Sequence, residues 1–223
     1  GLSLIVFFLV SSAYSQLDSK HYFPPMKQGG ANQAIVQQAF YLSTPVAVAF
    51  DVNVYQGTNP LPVGTINISN TVSGIYHVAD NDNDITLLTD VNTGVVLSNS
   101  GLRFESTTGD DFYVNYRGRS GSQAASLTTK GEKALGTLFK WGGLPLRGSH
   151  SSLSSYVGIM ATEDNTIIDI TDYHPDSEFR NGTDPDGITV DNIQITLNAG
   201  ETYVLQALKN QTVINEDGWL GAT

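Results

Sequence analysis

Residues 46–54 read VAVAFDVNV, and their alternation decides the fold class. Val46, Val48, Phe50, Val52 and Val54 fall on one side of an extended chain, while Ala47, Ala49, Asp51 and Asn53 fall on the other. A period of two sustained over this length is the pattern of a half-buried strand. Gln56 to Pro60 then supply the turn residues that end it. The same grammar recurs in Thr65 to Ser69, Ile75 to Val78, Ile85 to Leu88, Phe112 to Tyr116, Thr166 to Thr171, Ile188 to Leu197 and Thr202 to Leu208. Turn-forming clusters separate these runs at Asp80 to Asp84, Thr107 to Asp111 and Asn181 to Gly187. Short strands at such spacing predict an all-β chain of antiparallel β-sandwich architecture, with few or no helices.

Within that scheme Val48, Phe50, Val52, Ile168, Ile170, Ile193, Ile195, Leu197, Tyr203 and Leu205 are expected to face the core. Asp51, Asn53, Asp169, Gln194 and Gln206 are expected to face outwards. Two stretches leave a helix open, Ala31 to Phe40 and Ala124 to Leu138. The second contains Gly131 and Gly136, each costing about 1 kcal/mol against Ala in a helix, so loop or strand is favoured there. Ile66 to Val78 and Ile193 to Leu205 echo each other as strand, glycine turn and strand, which suggests two similar β lobes joined near Gly118 to Gly148.

The 223 residues carry 22 Asp plus Glu against 11 Lys plus Arg, a net charge of -11. Phosphate backbones and anionic membranes are bound through Lys and Arg, so this balance excludes nucleic acid and acidic lipid surfaces as expected partners. The chain has no cysteine, which removes disulfides, thiolate metal sites and cysteine nucleophiles.

Residues 1–15, GLSLIVFFLVSSAYS, place an apolar run from Leu2 to Val10 before small residues. That run is too short to span roughly 30 Å of hydrocarbon and fits a signal peptide cleaved before Gln16. Without a basic start, this leader is expected to be truncated at its N-terminus. Residues 16–223 are then read as one β-rich region, expected to continue beyond Thr223, with no membrane insertion of the mature chain.

Searches for chemistry return little. Gly118 to Ser122 and Gly148 to Ser152 both lack the pattern of a hydrolase nucleophile elbow. His21, His77, His150 and His174 lack the spacing of a zinc helix and are expected as surface or packed residues. Asp80 to Asp84 alternates carboxylates, but Ile85 and Val91 stand where a calcium loop of the EF-hand kind needs Gly and Glu, so a solvated turn is expected. Trp141 and Trp219 have the chemistry to stack on a sugar, although core packing over the neighbouring glycines is the commoner role. No catalytic residue, metal ion or cofactor is assigned.

The segment Ala161-Thr162-Glu163-Asp164-Asn165-Thr166, followed downstream by Leu197-Asn198-Ala199-Gly200-Glu201-Thr202-Tyr203, resembles the IgGFc-binding protein N-terminal family. Tyr41 to Pro45, Gly101 to Ser106, Ala134 to Thr137 and Asp217 to Gly221 extend the resemblance. With His21 to Pro25 it is similar to the version on large Bacteroidetes exported proteins, which implies gliding-motility-associated, type IX secretion and a secreted or outer-surface location. The antibody ligand in the family name is not carried over. The resulting expectation is a non-enzymatic cell-surface binding or adhesion module for a protein or glycan. A structural spacer is the alternative, and a secreted polysaccharide hydrolase stands third.

Overall fold

The computed structural model describes residues 16–27, 34–121, 123–143, 155–208 and 219–223. The leader, His150, Ser122 and the Gly148 to Ser152 run lie outside them. The first strands are β1 (Lys20–Phe23), β2 (Met26–Lys27), β3 (Gln37–Ser43), β4 (Phe50–Gln56), β5 (Gly64–Ile68) and β6 (Gly74–His77). Next come β7 (Leu87–Leu88), β8 (Leu102–Ser106), β9 (Tyr113–Arg119), β10 (Ala124–Thr128) and β11 (Lys130–Gly131), then a 3-10 turn at Glu132–Ala134. The remainder are β12 (Tyr156–Met160), β13 (Thr166–Ile170), β14 (Phe179–Asn181), β15 (Asp184–Ile188), β16 (Ile193–Leu197) and β17 (Thr202–Gln206).

A five-stranded sheet in the order β11-β1-β8-β4-β5 packs on a four-stranded sheet in the order β10-β9-β3-β6. Every pairing within these two sheets is antiparallel. The alternating inner residues of both meet in one core, including Val52, Val54, Ile68 and Phe104 from the first sheet and Phe40, Leu42, Val114 and Tyr116 from the second. This is the predicted antiparallel sandwich. A second cluster, built around Phe179, Leu197, Tyr203, Leu205 and Trp219, is enclosed by the β12-β17, β13-β16 and β14-β15 pairs. The echo in sequence has a topological counterpart. β5 and β6 belong to the two different sheets of the sandwich, joined through residues 69–73, and β16 and β17 belong to different two-stranded ladders, joined through residues 198–201.

Several expectations are corrected. Val48 is 77% exposed, because β4 begins at Phe50 and residues 47 and 48 form a bend. Gln206 is fully buried: β17 is covered on both faces, and the Gln206 carboxamide oxygen accepts a hydrogen bond from Arg180 Nε at 3.1 Å. The part of Ala31 to Phe40 that is described runs into β3 rather than a helix. The Ala124 to Leu138 stretch is strand, 3-10 turn and loop, as its glycines imply. Asn181 to Gly187 is a hairpin whose turn is Gly182 and Thr183, with Asp184 to Gly187 already in β15. Ile188 to Leu197 is broken between β15 and β16 rather than continuous. Ile85 and Thr86 do not extend β7 because the Asn83 side-chain oxygen accepts from both of their backbone N–H groups at 2.8 Å.

His21 lies wholly buried between the sheets. Its Nε2 donates to the Phe112 carbonyl at 2.7 Å, leaving Nδ1 to accept from the Thr129 hydroxyl at 2.9 Å. Burial lowers its pKa below the ordinary 6.5, outweighing the hydrogen bond to Phe112 and the nearby Asp18. Between the folded and unfolded values the unfolded chain binds the extra proton, so this contribution is present above the unfolded value and lost as pH falls through the folded one. Melting temperature should therefore drop on acidification below about pH 6.5. A His21→Gln variant should lack that part of the slope, and an identical pH profile in the variant would refute the assignment.

Candidate functional site

The outward face of the β10-β9-β3-β6 sheet carries the candidate site, and its residues follow from strand alternation. Along β9 the pattern sends Val114, Tyr116 and Gly118 inwards and leaves Tyr113, Asn115, Arg117 and Arg119 on the other side. The register aligns Ala124, Arg119 and Gln37 in one row across β10, β9 and β3. Ser126, Arg117, Ala39 and His77 form the next, and Thr128, Asn115, Tyr41 and Ile75 the third. None of these positions holds a carboxylate, in a chain of net charge -11.

Small outward side chains at Ala39 and Ala124 keep the floor low, and the backbone of Gly118 and Ala125 completes it, giving a groove of about 450 Å³. Tyr41, His77, Gln37, Ser126 and the two arginines also line it. Arg117 is held in place from two directions. Its guanidinium carbon sits 4.9 Å from the centre of the Tyr41 ring, and its Nε donates to Asn115 Oδ1 at 3.2 Å. The same Asn115 oxygen accepts from the Ser126 hydroxyl at 3.0 Å. Both arginines are exposed, and neither makes an ion pair with a described residue.

Beneath the floor a buried polar network fixes β3 against β9. Tyr116 and Thr86 both donate to Gln38 Oε1, at 3.1 and 2.8 Å, and Gln38 Nε2 donates to the Ala79 carbonyl at 2.6 Å. Burial pushes the Tyr116 phenol up to about 12, so it remains a neutral donor at any physiological pH.

The outward face of the other sheet is built differently. There Arg103 also lies over a tyrosine, 4.3 Å from the Tyr55 ring centre, but it reaches Glu105 at 3.6 Å. Lys20 pairs with Glu105 and Glu132 at 3.7 and 3.3 Å, and Asn67 donates to Asp51 at 2.7 Å. Lys20 and Arg103 on that face thus have acid partners, whereas Arg117 and Arg119 have none among the described residues.

The residues singled out in the sequence are dispersed. Trp219 is buried, with its ring stacked on half-buried Trp141 at 3.8 Å, so it packs as core. His77 lies at the groove, whereas His174 is exposed elsewhere, 3.8 Å from Asp176. Asp80 to Asp84 forms a turn organised by the Asn83 carboxamide, which also donates to the Ala79 carbonyl at 2.8 Å. Among the described residues no three His, Asp or Glu side chains converge as a metal site would require. Ser120 turns β9 into β10 through its N–H bond to the Gln123 carbonyl at 2.8 Å, without the strand-to-helix geometry of a nucleophile elbow. Sequence reading missed the arginine face because it ended this strand at Tyr116. Extending the alternation by three residues would have placed Arg117 and Arg119 beside Asn115.

Fold and site together define an all-β sandwich domain with a basic, tyrosine-flanked groove on one sheet. A protein-family model described as IgGFc binding protein matches residues 124–223. The match takes in β10 to β17 and the C-terminal segment, and leaves β1 to β9 outside it. No curated protein and no solved structure matches the chain. Among the described residues no helix is long and apolar enough to cross a membrane.

Proposed function

We propose that this chain is a non-enzymatic, extracellular binding module that engages a protein or glycan at a cell surface through the groove on the β10-β9-β3-β6 sheet. The observation that carries this reading is the pair Arg117 and Arg119, left without acid partners on a carboxylate-free face of an acidic protein. Arg and Tyr are enriched where proteins bind partners, and a pre-positioned guanidinium loses little freedom when it is engaged. The description of the matched family, IgGFc binding protein, supports binding rather than catalysis as the task. The sequence pattern of residues 1–15 supports export with cleavage before Gln16. The resemblance at His21 to Pro25 supports an adhesion role within a larger Bacteroidetes surface protein exported by type IX secretion.

Retention on an immobilised, acidic mucin-type glycoprotein tests the reading, with mature protein whose N-terminus has been sequenced. Sequencing should begin at Gln16. Wild type should be retained and should release no reducing sugar, while Arg117→Glu/Arg119→Glu should pass through with an unchanged melting temperature. Passage of the wild type would favour the spacer alternative, and sugar release would favour a hydrolase.

A further inference from the structure

We infer that the groove takes a carboxylate-bearing sugar unit, of the uronic or sialic acid kind, with Arg117 and Arg119 as its anion clamp; this deepens the binding reading above and rests on it. The two arginines sit two residues apart on β9, so their Cα atoms are about 7 Å apart on one side of the strand. Two planar guanidinium forks at that separation can close on a single carboxylate, and the fork geometry matches a carboxylate in a bidentate fashion. Arg117 is already oriented by the Tyr41 ring at 4.9 Å and by Asn115 at 3.2 Å, so little ordering remains when the ligand arrives.

The rest of the lining suits a sugar better than a protein surface. Gln37, Ser126 and His77 bring donors and acceptors for hydroxyl groups, and Ala39 and Ala124 leave room for a ring to settle on the sheet. A groove of about 450 Å³ has the size of a small-ligand site. A stable protein partner would instead need roughly 800 Å² of this chain's surface, with an apolar centre. The centre of this face is small, polar and basic.

Binding of trigalacturonate and of sialyllactose, measured by calorimetry on the full chain at low and high NaCl, tests the inference. The two acids distinguish the uronate from the sialic acid source, and the methyl ester of each removes the charge while keeping the sugar. At least one acid should bind, its ester at least about tenfold more weakly, since a charge-assisted hydrogen bond is worth roughly a decade or more in affinity. Arg117→Gln/Arg119→Gln should weaken the acid by a similar factor. Lys130→Gln, the loss of one charge on the other sheet, should leave it unchanged. Equal affinity for acid and ester, or an unaltered double variant, would overturn the carboxylate assignment. If the glutamate double variant still loses retention on the glycoprotein while neither acid binds, the sugar inference fails and the binding face stands. If the variant is retained like wild type, both fail.

Discussion

Leu197→Asp should leave the protein unfolded or largely insoluble, whereas Gln194→Asp, three residues earlier on the same strand, should fold with a nearly native circular dichroism spectrum. Leu197 is fully buried in the second core, and β16 alternates so that Ile193 and Leu197 face inwards while Gln194 and Thr196 face solvent. A carboxylate at position 197 would be desolvated among Phe179, Tyr203, Leu205 and Trp219 without a partner. The cost is about 4 kcal/mol or more, a large share of the roughly 5–15 kcal/mol by which domains are stable. Gln194→Asp loses the 2.7 Å hydrogen bond to Asp169 and sets two carboxylates directly opposite each other across the β13-β16 ladder. A like-charge cross-strand pair on an exposed face costs about 0.2–1 kcal/mol. Ile195→Asp should fall between them, because that side chain is only half-buried. Soluble yield and urea midpoints of the three variants measure the order. Equal tolerance at 197 and 194 would mean that β16 does not present this face to the core.

That ordering was largely legible in the sequence, because alternation reports sidedness wherever one face of a strand is buried and the other wet. It fails where this condition fails. Alternation points Gln206 to solvent, yet β17 is buried along its whole length and the polar side chain is accommodated by Arg180 instead of water. Val48 continues the pattern of Phe50 and Val52 in sequence, but hydropathy cannot show where a strand begins; the Asn70 N–H bonds the Val46 carbonyl at 2.7 Å, and the bend that follows turns Val48 outwards. Ile85 fits a strand pattern in sequence, but hydropathy does not reveal that Asn83 takes its backbone N–H. The groove was illegible for a different reason. Its residues come from β3, β6, β9 and β10, and Arg119, Gln37 and Ala124 become neighbours only through the ladder register. The absence of carboxylates around Arg117 is likewise a property of one assembled face, invisible in a chain whose composition is acidic overall.

Trp219→Ala should lower stability by about 3–5 kcal/mol, the usual range for removing a buried tryptophan, and so lower the melting temperature by roughly 10 °C. Trp219 is 1% exposed, stacked on Trp141 with a 13° angle between the rings and meeting Phe179 edge-on at 5.4 Å. It also anchors a backbone clasp: Gly221 donates to the Trp141 carbonyl, Trp141 to the Ala222 carbonyl, and Thr171 and Thr223 exchange a reciprocal pair, all between 2.9 and 3.0 Å. Without the ring, the amides of Trp141 and Thr171 should lose hydrogen-exchange protection first. The loss should nevertheless appear as one melting transition, because the two cores are sewn together. Leu97 and Thr202 exchange backbone hydrogen bonds at 3.0 and 2.9 Å, Gly94 donates to the Val204 carbonyl at 2.9 Å, and Gly182 donates to the Thr93 carbonyl at 2.7 Å. At Gly94 the φ of +79° and the adjacent Arg180 carbonyl leave no room for a Cβ, so that contact depends on glycine. Trp219→Phe should recover part of the loss by keeping an aromatic stack. Two separated transitions in Trp219→Ala, with the Phe104 amide in β8 still protected above the first, would show instead that the sandwich core and the second core fold as independent units.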